Sequence, residues 1–268
     1  MPSPSRGARS AALVGLGAWL AARGGLAVAG LVVTGLVGLG ATIAALMSSP
    51  SRAAFLPDLA STAIAWAGGV MLAFGASLRA LRLDREQGVA SLVRARGASL
   101  RDYVVGRVLG LVAVLAAAIG GATSAACLGA IVAAHGGRGI VQSSAGAVAY
   151  ALVFAATMGP VAIAALGART RAGGYLSLLA VLVVPELLAG FTERLLPRGW
   201  RELTSIPEAL AAVRSGVSHP ALDGAHAARG LAGLVAVVAV ALLVVAARAR
   251  ASESEPLDAH RSGREVAT

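Results

Sequence analysis

Six apolar runs take up most of this 268-residue chain: 25–47, 59–78, 104–134, 146–166, 174–191 and 227–247. A helix rises about 1.5 Å per residue and a bilayer's hydrocarbon core is about 30 Å thick, so each run is long enough, or nearly so, to cross it. In lipid every backbone N–H and C=O must be bonded within the protein, which leaves helices or a closed barrel. Leucine, valine and alanine show no alternation of period two inside these runs, which argues against the barrel. The expected fold class is all-α, a polytopic membrane protein with six transmembrane helices. Composition agrees, with 57% hydrophobic residues, 13% charged residues and a mean hydropathy of +0.78.

All 23 basic residues are arginine, and they are unevenly shared between alternate connections. Sixteen fall in the N-terminal segment, the second and fourth connections and the C-terminal tail, against seven in the others. By the positive-inside rule both termini are expected in the cytoplasm of a multi-pass cell-membrane protein. The same bias accounts for the net charge of +10 without a nucleic-acid partner. The expected organisation is a cytoplasmic N-terminus at 1–24, a six-span domain at 25–248 and a flexible cytoplasmic tail at 249–268. Within the first segment, 10–22 reads as an amphipathic interfacial helix, with Ser10 as its cap, Leu13, Leu16 and Leu20 toward lipid and Trp19 at headgroup depth. The single cysteine, Cys127, lies inside the third run and allows no intramolecular disulfide.

The connection 79–107 gathers charge that the rest of the chain avoids. Over 84–95 the apolar residues Val89, Leu92 and Val93 recur at helical spacing, while Arg85, Glu86 and Arg96 are placed to face water. Gly97 breaks that helix. Ser99 and Asp102 then stand three apart as in a capping box, and a second helix is expected to run past Arg107 into the third span. The pattern predicts a helix, a sharp turn and a helix entry at the cytoplasmic surface.

These residues resemble the ABC type 2 permease family, the membrane subunits of a large group of exporters. Asp84, Glu86 and Gly88 look like the family's acidic cluster and glycine; Leu92 and Val93 resemble its apolar segment, and Arg107 stands where a lysine is usual. Val89 departs from a frequent threonine, and Gly97 from a common proline. The resemblance implies that this is a cytoplasmic coupling helix resting in a cleft of a separate ABC ATPase subunit. It also implies a second permease copy or paralogue, giving a dimer of six-span subunits.

The chain has no lysine, so it cannot form the phosphate-binding loop that needs one. ATP and magnesium are therefore expected on the partner, with no cofactor, metal or catalytic residue in this chain. Gly106 and Gly110, one turn apart, suit close helix approach, either between two copies or within one subunit. Glu186 follows Pro185 toward the outer end of the fifth run, where a carboxylate needs water, a partner or a substrate path. It is the candidate contact on a translocation pathway; the alternative is an interfacial acid that caps the chain. Gly159 and Pro160 predict a bend in the fourth span. In the long connection 192–226, Ser205 and Glu208 predict the start of a short helix lying across the outer mouth.

Acids and histidines give an enzyme little footing, because His219 and His226 are seven apart and no paired ligands fall inside a span. The expected function is the permease subunit of an ATP-driven exporter, with an apolar or amphiphilic cargo. A six-span scaffold or integral-membrane enzyme is the other class open to this sequence.

Overall fold

The computed structural model describes residues 6–53, 55–78, 80–95, 97, 99–167, 171–192 and 201–253, and all regular structure among them is helical. In chain order α1 (Arg6–Ala22) leads into α2 (Gly25–Leu46), and α3 (Pro50–Ala53) is a single turn. Then α4 (Leu56–Ala63) passes through a π-helical turn at Ile64–Gly69 into α5 (Val70–Ser77). The charged connection forms α6 (Ala80–Glu86) and α7 (Val89–Ala95). A second π-helical turn, Ala116–Gly120, joins α8 (Leu100–Leu115) to α9 (Gly121–Ala133). The remainder is α10 (Arg138–Leu166), α11 (Arg171–Thr192), α12 (Arg201–Thr204), α13 (Ile206–Ser218) and α14 (Pro220–Glu253).

Among the described residues five segments are long and apolar enough to cross a membrane: Gly25–Leu46, Leu56–Asp84, Leu100–Ala133, Arg138–Leu166 and Pro220–Arg250. They cover five of the six runs read from the sequence, and α11 covers the other. On α2 the large side chains point outward: Val28, Val32, Leu36, Leu39 and Ile43 form an exposed stripe, whereas Ala27, Gly30, Thr34, Gly38 and Ala45 are buried. Lipid is as apolar as leucine, so these helices gain by close backbone packing through small residues, and bulk is left for the lipid side. The central helix is α10, whose residues from Thr157 to Leu166 are buried on every face. It continues as a helix through Pro160, with Gly159 close against Val112 of α8.

Contacts between helix ends define two ends of the bundle. Ala45 of α2, Ala130 of α9 and Ile140 of α10 cluster at one, here the far end. At the other, the arginine-rich end, the Arg82 amide donates to the Gly167 carbonyl, and Gly174 of α11 lies beside Leu166 of α10. Gly146, early in α10, meets Ser218 of α13, while Arg248, late in α14, donates to the Ala164 carbonyl, late in α10. Helices α10 and α14 therefore run in the same direction, and the chain between them must return. The return is made in two stages, by α11 and then α13.

Three expectations need correcting. The N-terminal helix begins at Arg6, and Ser10 does not cap it but donates to the Gly7 carbonyl within it. Its Leu13 and Leu16 pack against the protein core and not toward lipid, because Gly17 lets α1 lie directly on α8. Trp19 does remain outside, 55% exposed, with the Arg23 guanidinium stacked 4.7 Å from its ring. Second, α13 does not lie across the mouth: Ile206, Ala209, Leu210 and Val213 bury its length against α10 and α14. Third, α14 continues to Glu253, beyond the expected helix end near 248. The remaining tail, with His260, lies outside the described residues.

Candidate functional site

At the arginine-rich end the charged connection folds as two short helices before α8. The expected helix over 84–95 is interrupted: α6 ends at Glu86, and Gly88 takes φ +71° before α7 begins. That left-handed conformation is open to glycine at little steric cost, which is why the break falls there. Gly97, at φ +74°, makes the second turn, and the Ser99 hydroxyl accepts from the Asp102 amide at 3.0 Å to start α8. The helix-turn-helix entry is formed, and the cap residue is the expected one.

Arg107 and Asp84 meet across this turn. Arg107 Nε donates to Asp84 Oδ2 at 3.0 Å, and their side chains are only 6% and 5% exposed. The Tyr103 hydroxyl donates to the same carboxylate oxygen at 2.5 Å. Tyr103 and Arg107 are four apart on α8, so both present to one face. Arg107 Nη1 also donates to the Gly17 carbonyl at 3.3 Å, tying α1 to the same point. Beside that contact a Cβ on Gly17 would fall 2.3 Å from the Gly106 carbonyl oxygen, and one on Gly110 would fall 2.3 Å from the Ala18 amide nitrogen. Backbone meets backbone here, so the Gly106 and Gly110 pair serves packing within one chain. A buried carboxylate beside a buried guanidinium compensates two desolvated charges, and breaking it from one side is costly.

The predicted coupling residues therefore separate into two groups. Asp84 and Arg107 form an internal pin, with Asp84 turned inward and withdrawn from any partner. Gly88 makes the turn and Val93 is buried against the core. Glu86 and Leu92 face outward: the Glu86 side chain is 45% exposed and accepts from Arg82 Nε at 2.8 Å, and Leu92 is 63% exposed. An exposed pair such as Arg82–Glu86 adds little stability. Thus α7 offers an apolar knob, Leu92, on a short helix held from behind by Val93.

Glu186, on α11, is half-buried and accepts a hydrogen bond from the Ser205 hydroxyl. Ser205 in turn accepts from the Glu208 amide at 3.2 Å and caps α13, so the carboxylate is tied to the start of that helix. The sequence reading missed a second polar junction. Arg214 of α13 donates through Nη1 to the Asp58 carbonyl at 3.0 Å and to the Thr62 hydroxyl at 2.8 Å. Its guanidinium lies 5.2 Å from the centre of the Tyr150 ring, and Trp66 Nε1 donates to the Tyr150 hydroxyl at 2.7 Å. Arg214 had counted only toward orientation, although it is the sole arginine of α13 and so marks a polar contact. Among the described residues no group of three His, Cys, Asp or Glu side chains could hold a metal.

Comparisons of the chain with protein-family models, with curated proteins and with solved structures found no match.

Proposed function

We propose that this chain is the permease subunit of an ATP-driven exporter of the ABC type 2 kind. It would cross the membrane six times, with α11 as the additional span and both termini in the cytoplasm. A separate ATPase subunit docks on α7, and two permease copies or paralogues complete the transporter. The observation that carries this reading is the form of α7: a short helix between two glycine turns, with Leu92 63% exposed and Val93 buried behind it. A loop that served only orientation would need positive charge but not an outward apolar residue on an anchored helix. The Asp84–Arg107 pin supplies the mechanics, because a push on α7 is passed to α6, α8 and α1 as one body. Glu186, at the junction of α11 and α13, is the proposed cargo contact, and an apolar or amphiphilic cargo suits the aliphatic interior.

The test is whether a gene for a P-loop ATPase lies beside this one, followed by co-expression of the two. The ATPase should co-purify with the wild-type chain, and Leu92→Asp or Glu86→Lys should uncouple ATP hydrolysis from export while the protein still inserts. Co-purification and coupling unaffected by both changes would overturn the docking site. Orientation is checked with single cysteines in a Cys127→Ser background. In intact cells an impermeant thiol reagent should label Ala221→Cys but not Ser99→Cys.

A further inference from the structure

Between α10, α11 and α14 lies a cleft of about 520 Å³, within the size range of small-molecule sites. One continuous face of α14 forms its long wall, where Gly233, Val237, Val240, Val244 and Arg248 recur three or four residues apart. Val161 of α10 and Val181 of α11 stand opposite. The polar side chains along it are engaged within the protein: Ser177 with the Gly173 carbonyl at 2.7 Å, Thr204 with the Arg201 carbonyl at 3.4 Å, and Arg248 with the Ala164 carbonyl. A polar ligand would lose its hydration here without replacement bonds, whereas an apolar one loses nothing. Val240 is 60% exposed and lies within the apolar run 227–247, so the mouth opens sideways into hydrocarbon and not to water. What reaches this cleft is a molecule dissolved in the bilayer.

The far end is stopped. There the segment 203–206 touches all three walls. A Cβ on Gly233 of α14 would fall 2.9 Å from the Leu203 Cα, Ser205 donates to Glu186 of α11, and Ile206 is buried where α13 packs on α10. The stop is also held from outside, because Glu202, with its side chain 14% exposed, accepts from Arg229 Nε of α14 at 3.1 Å and meets His226. From Gly233 to Arg248 the helix advances about 22 Å at 1.5 Å per residue. An extended hydrocarbon advances about 1.25 Å per carbon, given bonds of about 1.5 Å at tetrahedral angles. A sixteen-carbon chain is then about 20 Å long and fits, whereas a twenty-carbon chain, at about 25 Å, does not.

We propose that this cleft seats one extended acyl chain of a bilayer lipid, with the terminal methyl against Leu203, so that Leu203 sets the longest chain accepted. Because the far end is stopped, the headgroup lies at the arginine-rich end, in that leaflet. The wall recognises the chain and not the charge of the headgroup, and the site stands whether or not the protein is an exporter.

The test is native mass spectrometry of the full chain in a neutral detergent, with hexadecanoyl and eicosanoyl lysophosphatidylcholine at equal concentration as probes. The wild-type protein should retain the hexadecanoyl lipid about tenfold more strongly, the discrimination that a hydrophobic pocket exerts on methylenes it cannot house. Leu203→Ala, or Leu203→Val if the first does not fold, deepens the cleft and should raise the eicosanoyl share. Val237→Trp, or Ala236→Phe if the first does not fold, fills the cleft and should lower retention of both lipids. Leu243→Trp, on the exposed face of α14, should change neither. Equal retention of the two lipids by the wild type marks lipid held on the outer surface of the helices and overturns the proposal. A length preference unmoved in the folded Leu203 variant overturns Leu203 as the stop, and undiminished retention in the folded cleft-filling variant overturns the cleft as the site. No ATPase partner or transport assay enters the measurement, so failure of the exporter reading leaves it intact.

Discussion

Asp84→Asn removes one charge from the buried pair and leaves Arg107 at the same depth. The asparagine can still accept from Tyr103, so the change isolates the charge more than the packing. Arg107 is 6% exposed on its side chain, and beyond this pair it donates to a carbonyl, Gly17, at 3.3 Å. An uncompensated buried charge of this kind costs about 3–5 kcal/mol. Arg107→Met alone leaves Asp84 with the Tyr103 hydroxyl and should cost a similar amount. The double variant Asp84→Asn with Arg107→Met removes both charges and should recover most of that loss, because the cost of each single change is the charge it leaves buried and unpaired. The assay is reversible unfolding in mixed micelles, followed by tryptophan fluorescence and analysed as a double-mutant cycle. Trp19 reports directly on α1, which the pin holds. A coupling energy below about 1 kcal/mol, or single losses that simply add, would refute the pin as a buried ion pair.

Three further substitutions have definite expected outcomes. Gly110→Leu should detach α1 from α8, since even a Cβ there would sit 2.3 Å from the Ala18 nitrogen; the cost is about 1–3 kcal/mol or more, read as a lower unfolding midpoint and faster proteolysis before Gly25. Ser205→Ala should cost about 0.5–2 kcal/mol through loss of the α13 cap, whereas Glu186→Gln keeps an acceptor for Ser205 and should stay within about 1 kcal/mol of wild type. Export should nevertheless fall in Glu186→Gln, and unchanged export would confine Glu186 to holding the cap.

The apolar runs were legible from composition because each is a local property: a long stretch without charge satisfies its backbone as a helix wherever it lies. The run 25–47 became Gly25–Leu46, and 104–134 lies within Leu100–Ala133 but for one residue. Ser99 and Ser205 were legible for the same reason, since a cap binds an amide three residues away. The break at Gly88 was missed, although the glycine itself stood in the pattern; helical spacing of Val89, Leu92 and Val93 carried the reading across it. At the candidate site, Glu86 could be identified as facing water, but Leu92 could not be sorted from Val89 and Val93, which the spacing set together on the apolar side. Nor could Asp84 be sorted from Glu86 by sequence, because its partner is 23 residues away.

Local chemistry alone therefore determined that this is a helical, membrane-type chain with a sharp turn at Gly97 before its third apolar run. Tertiary structure decided which charges are spent inside. Asp84 and Arg107 meet only because α6 folds back on α8, and Gly17 reaches Arg107 only because three glycines let two backbones touch. The inward packing of α13 and the cleft at Arg248 likewise depend on the common direction of α10 and α14. That direction is a property of the whole bundle, since it is set by how many times the chain returns between two distant helices and by no residue within either of them.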